Sequence, residues 1–322
     1  MSEPQRRREH REEGAMVLHH TSGRWRLGLA LSLLTVFLWG ILPIALAITL
    51  QALDVYTVSW FRFLFAFGLL AVYLTVRQQL PELQKLGSTA LGLLAIATVF
   101  LGLNYLFFLQ GLAQTSPNNA EVLIELGPVL LGLGAIAVFK ERYTLSQWMG
   151  MGVLTLGFAL FFHEQLRSLI TAPTKYLVGS GLLVLAAAMW AVYALAQKQL
   201  LQRLPSSSIM LIIYGGCALL FSPVAAPQKI LTLSPLHLGV LLFCGLNTLA
   251  AYGAFAEALD HWEASRVSAV VALAPIVTLA SVWAVSFVMP TLIAPERLTA
   301  LAIVGAVLVV SGSIAIALGK SR

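Results

Sequence analysis

The chain has 322 residues, 59% of them hydrophobic and only 11% charged, with a mean hydropathy of +0.86 and a formal net charge of +6. A soluble domain carries about one quarter charged residues, so a water-facing globular surface is excluded and the solvent of this chain is lipid. Lipid offers no partner to an unpaired backbone group, which leaves helices or a closed barrel, and long apolar runs without two-residue alternation exclude the barrel.

Cys217 and Cys244 both fall inside apolar runs, so neither a disulfide framework nor a thiolate metal site is expected. The basic charge gathers in the N-terminal tail and the short connections, which suits orientation in a membrane and argues against a nucleic-acid partner.

In chain order, residues 1–26 carry Arg6, Arg7, Arg8 and Arg11 with almost nothing to bury and read as a disordered, basic, cytoplasmic tail. The apolar stretch that follows is too long for a signal-peptide core and lacks a small-residue cleavage site, so it is a span. Predicted spans run over 27–50, 55–76, 88–110, 117–139, 144–162, 176–200, 207–225, 235–257, 264–289 and 298–318, ten in all, each near the ~20 residues that cross a bilayer as a helix. Ser116 can cap the fourth span with Pro117 at its first position, and Thr144-Leu145-Ser146-Gln147 has the spacing of a capping box at the start of the fifth. With the N-terminus inside, fifteen Lys and Arg fall on inner segments and four on outer ones. Basic loops stay inside, so both termini are expected in the cytoplasm of a multi-pass protein of the cell membrane.

The chain repeats itself. Tyr105 and Tyr252, Leu112 and Leu259, and Pro128 and Pro275 are each 147 residues apart. Gly28, Leu31 and Trp39 fall on Gly179, Leu182 and Trp190 at a spacing of 151. Glu141-Arg142-x-Thr144 falls on Glu296-Arg297-x-Thr299, Gly150 on Gly305 and Gly157 on Gly312, all at 155. Each half holds five predicted spans, and an odd-numbered repeat re-enters the membrane from the opposite side, so the two copies are expected to be inverted. The halves are residues 27–163 and 176–318.

With ten spans, two repeats, a Pro-containing fourth helix in each repeat, a Glu-Arg-x-Thr junction and a Gly-rich last helix, the chain resembles the EamA-type transporters of the drug/metabolite transporter superfamily. The resemblance covers about residues 27–318. Lys140-Glu141-Arg142-Tyr143-Thr144 and Leu126-Gly127-Pro128 match closely, whereas the second half departs by an insertion around Met289 to Ala294 before Pro295-Glu296-Arg297. It implies a central cavity lined by helices one to four and six to nine, with helices five and ten peripheral. It implies no particular solute, because members of the superfamily move amino acids, nucleotide sugars, sugar phosphates and other compounds.

Ionisable groups inside hydrocarbon cost ~2.5–3.5 kcal/mol each on insertion scales and so face a cavity or one another. Arg62 lies seven residues below Val55, and Glu125 eight below Pro117, each ~10–12 Å below the outer end at helical rise. The equal depth predicts an Arg62–Glu125 pair on the outer side of the cavity, either tying the helices or meeting a charged solute. Glu121 is one turn above Glu125 on the same face, where it could touch solute, carry a coupling proton, or sit in interfacial water at a helix N-terminus. Asn104, Tyr105, Tyr193, Asn247 and Tyr252 interrupt apolar surface and need a hydrogen-bonding partner, either a neighbouring helix or a solute. Trp39 and Trp190 sit deep in their helices and either line the cavity or fill the core. Pro128 and Pro275 cannot donate to the carbonyls of Ile124 and Val271, so both helices should kink there and are candidate hinges.

No clustered Asp pairs, no metal-ligand spacing among the six histidines and no Gly-Lys-Ser/Thr phosphate loop occur, so no cofactor or metal is expected. The expectation is an all-α, non-enzymatic carrier of a small metabolite, such as an amino acid or related amphiphilic solute, working by alternating access as a monomer or homodimer. A coupling proton is a candidate second partner. An intramembrane enzyme and a non-transporting scaffold are the alternatives, and a solidly apolar centre would favour the scaffold.

Overall fold

The structure is a computed structural model that describes residues 21–81, 86–115, 117–163, 167, 174–288 and 299–318, with backbone only at 117–119 and 122. The basic tail to residue 20, Ser116, the insertion of the second half and Pro295-Glu296-Arg297 lie outside the described residues. Helices make up the described chain, and no strand occurs among its residues. In order they are α1 (Trp25–Thr49), α2 (Val55–Val76), α3 (Ser88–Gln114), α4 (Pro117–Ile124), α5 (Leu126–Phe139), α6 (Leu145–Phe161), α7 (Thr174–Leu200), α8 (Ser206–Phe221), α9 (Pro235–His261), α10 (Ala264–Val271), α11 (Ala274–Val288) and α12 (Ala300–Leu318), with a 3-10 turn at Pro227–Thr232.

Seven apolar segments are long enough to cross a membrane: α1, α2, α3, α7, α9, α12 and the stretch Ala264–Phe287 that joins α10 to α11. Three more apolar helices, α5, α6 and α8, are shorter; at 1.5 Å per residue they reach only about 21–26 Å. Leu33, Leu34 and Phe37 on α1, Val72 and Val76 on α2, and Ile303, Val304 and Val307 on α12 are exposed. Helices that are apolar on every side belong in lipid.

Local chemistry sets the ends. Asp54 caps α2 by accepting the Thr57 N–H at 2.9 Å, and Ser234 caps α9, whose first residue is Pro235. At the start of α6 the Thr144 N–H donates to Gln147 Oε1 at 3.0 Å, as its capping-box spacing predicts. The expected tail ends earlier than residue 26. The helix α1 begins at Trp25, and Ser22 donates its N–H to Asp260 O while its hydroxyl bonds His261 Nδ1 at 2.7 Å, so the last residues before α1 are tied to the end of α9.

The expected fourth and ninth spans are each interrupted. Glu125 separates α4 from α5, and Ala272 and Leu273 separate α10 from α11. Both interruptions lie just before a proline, Pro128 or Pro275, where the missing N–H leaves a carbonyl without its helical donor.

Packing pairs the elements across the molecule. The most extensive contacts are α3 with α7, α6 with α12, and α9 with α1, followed by α8 with α2, α5 with α7 and α11 with α1. Exchanging α1–α6 for α7–α12 in order reproduces this set. Close approach at α6/α12 needs glycine: a Cβ on Gly305 would lie 2.3 Å from the Phe161 backbone nitrogen, and one on Gly157 2.6 Å from that of Val309.

Candidate functional site

Between α1, α2, α3, α7, α9 and the two broken helices lies a cavity of about 100 Å³. Helical spacing makes its walls. Trp39, Leu42, Pro43 and Leu46 form one face of α1; Asn104, Tyr105, Phe108 and Leu109 one face of α3; and Glu121, Ile124, Glu125 and Pro128 one face of the α4–α5 pair. Val271 and Ala274 flank the second break, and Arg62, Trp190 and Tyr252 complete the lining. Each broken helix therefore opens beside the cavity, where irregular backbone in a membrane is tolerated.

Three charged residues line this apolar hollow: Arg62 is 2% exposed, Glu121 and Glu125 5% each. The expected Arg62–Glu125 pair is absent. Arg62 instead donates through Nε to Thr248 Oγ1 at 2.9 Å and through Nη2 to the Tyr105 hydroxyl at 3.2 Å, with its Cζ 4.4 Å from the Tyr105 ring centre. Equal depth did bring both residues to one cavity, but depth along a helix does not fix which wall a side chain occupies.

Among the described residues neither carboxylate is in an ion pair. Glu121 Oε1 lies 3.1 Å from the Thr278 hydroxyl of α11, and Glu125 Oε2 is buried without a hydrogen-bond partner. Glu125 sits at the break itself, so the same interruption that frees backbone groups also turns this carboxylate toward the cavity.

Aromatic rings line the hollow on the side nearer Ser22. Trp39 meets its repeat counterpart Trp190 edge-on at 5.7 Å and Tyr252 at 5.0 Å, and Tyr105 meets its counterpart Tyr252 at 5.7 Å. Such pairs add about 0.5–1.5 kcal/mol beyond area burial.

Two expected lining residues are elsewhere. Tyr193 is fully buried with its hydroxyl 3.6 Å from Met210 Sδ, and Asn247 donates to Leu38 O at 2.6 Å, tying α9 to α1. Asn104 makes the matching tie from α3 to Ala186 O of α7 at 2.9 Å, yet also reaches the cavity. Pro275 is not among the lining residues, although its neighbour Ala274 is. Thr248 and Thr278 escaped the sequence reading. Each also bonds the carbonyl four residues back, Cys244 O at 2.8 Å and Ala274 O at 3.2 Å, the ordinary habit of threonine in a helix, so nothing in the sequence marks them out.

Toward Ser22 the helices are locked together. Lys198 Nζ lies 3.2 Å from Glu141 Oε1, and the two Glu141 oxygens accept the N–H groups of Ala264 at 3.2 Å and Ser265 at 3.3 Å, at the start of α10. Trp262 packs on Gly28, where a Cβ would come within 2.7 Å of the Trp262 Cβ. At the opposite end Lys229 meets Asp54 at 3.0 Å in an exposed pair.

The family model for EamA-like transporters matches this chain twice, over residues 26–163 and again over 177–318. The chain belongs to the EamA-like transporter family. It is 37% identical over 294 residues to the uncharacterized inner membrane transporter YhbE of Escherichia coli K12, covering 91% of this chain and 92% of that one. It is 35% identical over 293 residues to an uncharacterized transporter of Haemophilus influenzae, covering 91% and 95%. A probable amino-acid metabolite efflux pump of Salmonella typhimurium is 24% identical over 296 residues, covering 88% and 92%. A crystal structure at 16% identity superposes with a TM-score of 0.66 over 90% of this chain and 97% of that one, a likeness of fold. This member of the family is a multi-pass membrane transporter of small metabolites.

Proposed function

We propose that the transporter moves an amphiphilic amino acid or a closely related zwitterion by alternating access at the central cavity. One observation carries the reading. A guanidinium and two carboxylates lie in separate parts of a single hollow, without pairing, between walls that are otherwise aromatic and aliphatic. Arg62 suits a solute carboxylate, Glu125 with its unpartnered oxygen suits an ammonium, and the Trp39, Trp190 and Tyr252 rings suit an apolar body and a nearby cation. The name of the Salmonella relative points to the same class.

In this reading the short helices α5, α6 and α8 complete ten spans, and the chain is two inverted repeats, about 27–163 and 176–318. The doubled family match, the odd number of apolar helices in each half and the exchange-symmetric packing support it. Both termini lie on the cytoplasmic side of the inner membrane, on the strength of the basic loops and of the membrane in which the Escherichia coli relative is named as a transporter. The broken helices at Pro128 and Pro275 are the hinges.

The test is counterflow into proteoliposomes, using labelled leucine, phenylalanine, threonine and lysine alongside a sugar and a quaternary amine. Saturable exchange of an apolar amino acid that Arg62→Ala abolishes is the expected result. Exchange of the sugar or the amine alone would overturn the proposed solute class.

A further inference from the structure

A guanidinium only donates, through Nε, Nη1 and Nη2. In Arg62 the Nε–H goes to Thr248 Oγ1 at 2.9 Å and one Nη2 hydrogen to the Tyr105 hydroxyl at 3.2 Å, whereas Nη1 has no acceptor among the described residues. The residue lines the cavity. A carboxylate grips a guanidinium with both oxygens either through Nε and Nη2 or through Nη1 and Nη2. Thr248 occupies Nε, so only the second grip is left to a solute.

Thr248 is itself held firmly. It is fully buried, and its single hydroxyl proton goes to the Cys244 carbonyl one turn back at 2.8 Å, so its oxygen meets Arg62 as an acceptor. The Tyr214 hydroxyl of α8 donates to the Thr248 carbonyl at 3.0 Å and pins this turn of α9 from a second side. Close approach of α9 to α2 brings the two residues within reach. A Cβ on Gly245 would lie 2.7 Å from Phe65 Cδ1, and these two stand three residues from Thr248 and Arg62 along their own helices.

We propose that Thr248 is a positioning residue for solute recognition: it fixes the Arg62 guanidinium so that the Nη1–Nη2 end meets the solute carboxylate. The inference rests on the reading of Arg62 as the carboxylate receptor and names what orients it. A neutral hydroxyl suits the task, because it satisfies one N–H while leaving the positive charge for the solute to neutralise, which an ion pair to Glu125 would not. A guanidinium held in advance also loses less side-chain freedom when the solute arrives. Arg62 and Tyr105 belong to α2 and α3 of the first half, and Thr248 to α9 of the second. The receptor is therefore complete only while the two halves meet at this turn.

The holding contact is measured first with no solute, by magnetic resonance of the full chain carrying isotope-labelled arginine in lipid nanodiscs. The Arg62 Nε–H resonance, assigned by its loss in Arg62→Lys, should exchange slowly with water. Thr248→Val, close in size but without the acceptor, should speed that exchange, and Thr248→Ser should restore it. In counterflow of labelled phenylalanine, Thr248→Val should raise the half-saturating concentration about tenfold, as loss of a hydrogen bond to a charged group does. The maximal rate should hold, and Thr248→Ser should again match the wild type. A wild-type Nε–H that exchanges as fast as free arginine would overturn the proposal even if Thr248→Val did not fold. So would a half-saturating concentration unchanged by Thr248→Val for a solute whose exchange Arg62→Ala abolishes, or equal losses in the valine and serine variants. A wild-type protein that exchanges no amino acid counts against the solute class, and the Nε–H resonance then decides by itself whether Thr248 holds Arg62.

Discussion

Arg62 is where residue chemistry bears most directly on transport. Its planar fork bonds Thr248 from one edge and Tyr105 from another while the ring lies against its face, and a lysine cannot reproduce that geometry. Loss of one hydrogen bond to a charged group is worth about 1.5–3 kcal/mol. Arg62→Lys should therefore weaken solute binding roughly ten- to hundredfold, read as the half-saturating concentration in counterflow, and an unchanged value would remove Arg62 from the binding site.

Asp54 gives a prediction of stability instead. Burial pushes its carboxyl up, but the Thr57 N–H, Lys229 and the Thr57 hydroxyl outweigh this and hold it below its ordinary value of 3.8. A folded value below the unfolded one stabilises the fold at pH above the ordinary value, and that contribution is lost as pH falls through the folded one. Asp54→Ala should lower unfolding stability in detergent by about 1 kcal/mol near neutral pH, with the exposed Lys229 pair adding little, and the deficit should shrink below pH 3.8. A deficit equally large in acid would show that the cap charge is irrelevant.

At this scale the sequence was legible for the residue types and not for their partners. A charge in an apolar run announces a cavity, and Arg62, Glu121 and Glu125 all line one. Pairing was misread because it depends on azimuth and on Thr248 and Thr278, whose bonds back to their own helices disguise them.

Among the elements, glycine separates contact from accident. Gly305 and Gly312 on α12 and Gly157 on α6 face backbone so closely that a methyl has nowhere to go: the Gly312 Cβ would lie 2.5 Å from Leu154 N. Gly152, on the same helix as Gly157, has nothing within 4 Å. Gly305→Ala should separate α6 from α12 and cost roughly 1–3 kcal/mol, as overpacking does. Gly152→Ala should be neutral or stabilising by up to about 1 kcal/mol, because alanine is the better helix former. Comparison of the two melting temperatures decides it; equal losses would mean that helix propensity, not approach distance, sets the cost. The repeat spacing of 155 pairs Gly150 with Gly305 and Gly157 with Gly312, but only the structure shows that these glycines meet a neighbouring helix and that Gly152 does not. The breaks were half legible: proline located them, but only the tertiary structure shows α4 and α10 as separate short helices with Glu125 standing in the gap.

At the scale of the whole molecule the two ends are unequal. The end near Ser22 is closed by the Lys198–Glu141 pair, Lys198 being 2% exposed, and by Glu141 holding the first turn of α10, while the ion pair at the opposite end, among the described residues, is the exposed Asp54–Lys229 contact. The sequence could not announce this closure. Lys198 corresponds to Ala47 at the repeat spacing of 151, so the lock has no lysine counterpart in the other half, and a lysine near a helix end reads as an ordinary interfacial charge. If the halves rock against each other, this asymmetry makes the two access states unequal in energy and favours the one closed toward Ser22. Removing Glu141 strips the α10 N–H groups of their acceptor and leaves Lys198 buried without a partner, which is strongly destabilising for a buried pair. Ser265, 2% exposed and bonded to Glu141 through its N–H, reports on the closure. In a background lacking Cys217 and Cys244, Ser265→Cys should react slowly with a water-soluble maleimide. Adding Glu141→Ala should speed that reaction at least about tenfold, since 1.4 kcal/mol suffices for a factor of ten and several charge-assisted bonds are lost. An unchanged rate would mean that Trp262 on Gly28 and the aromatic floor keep this end shut without the ion pair.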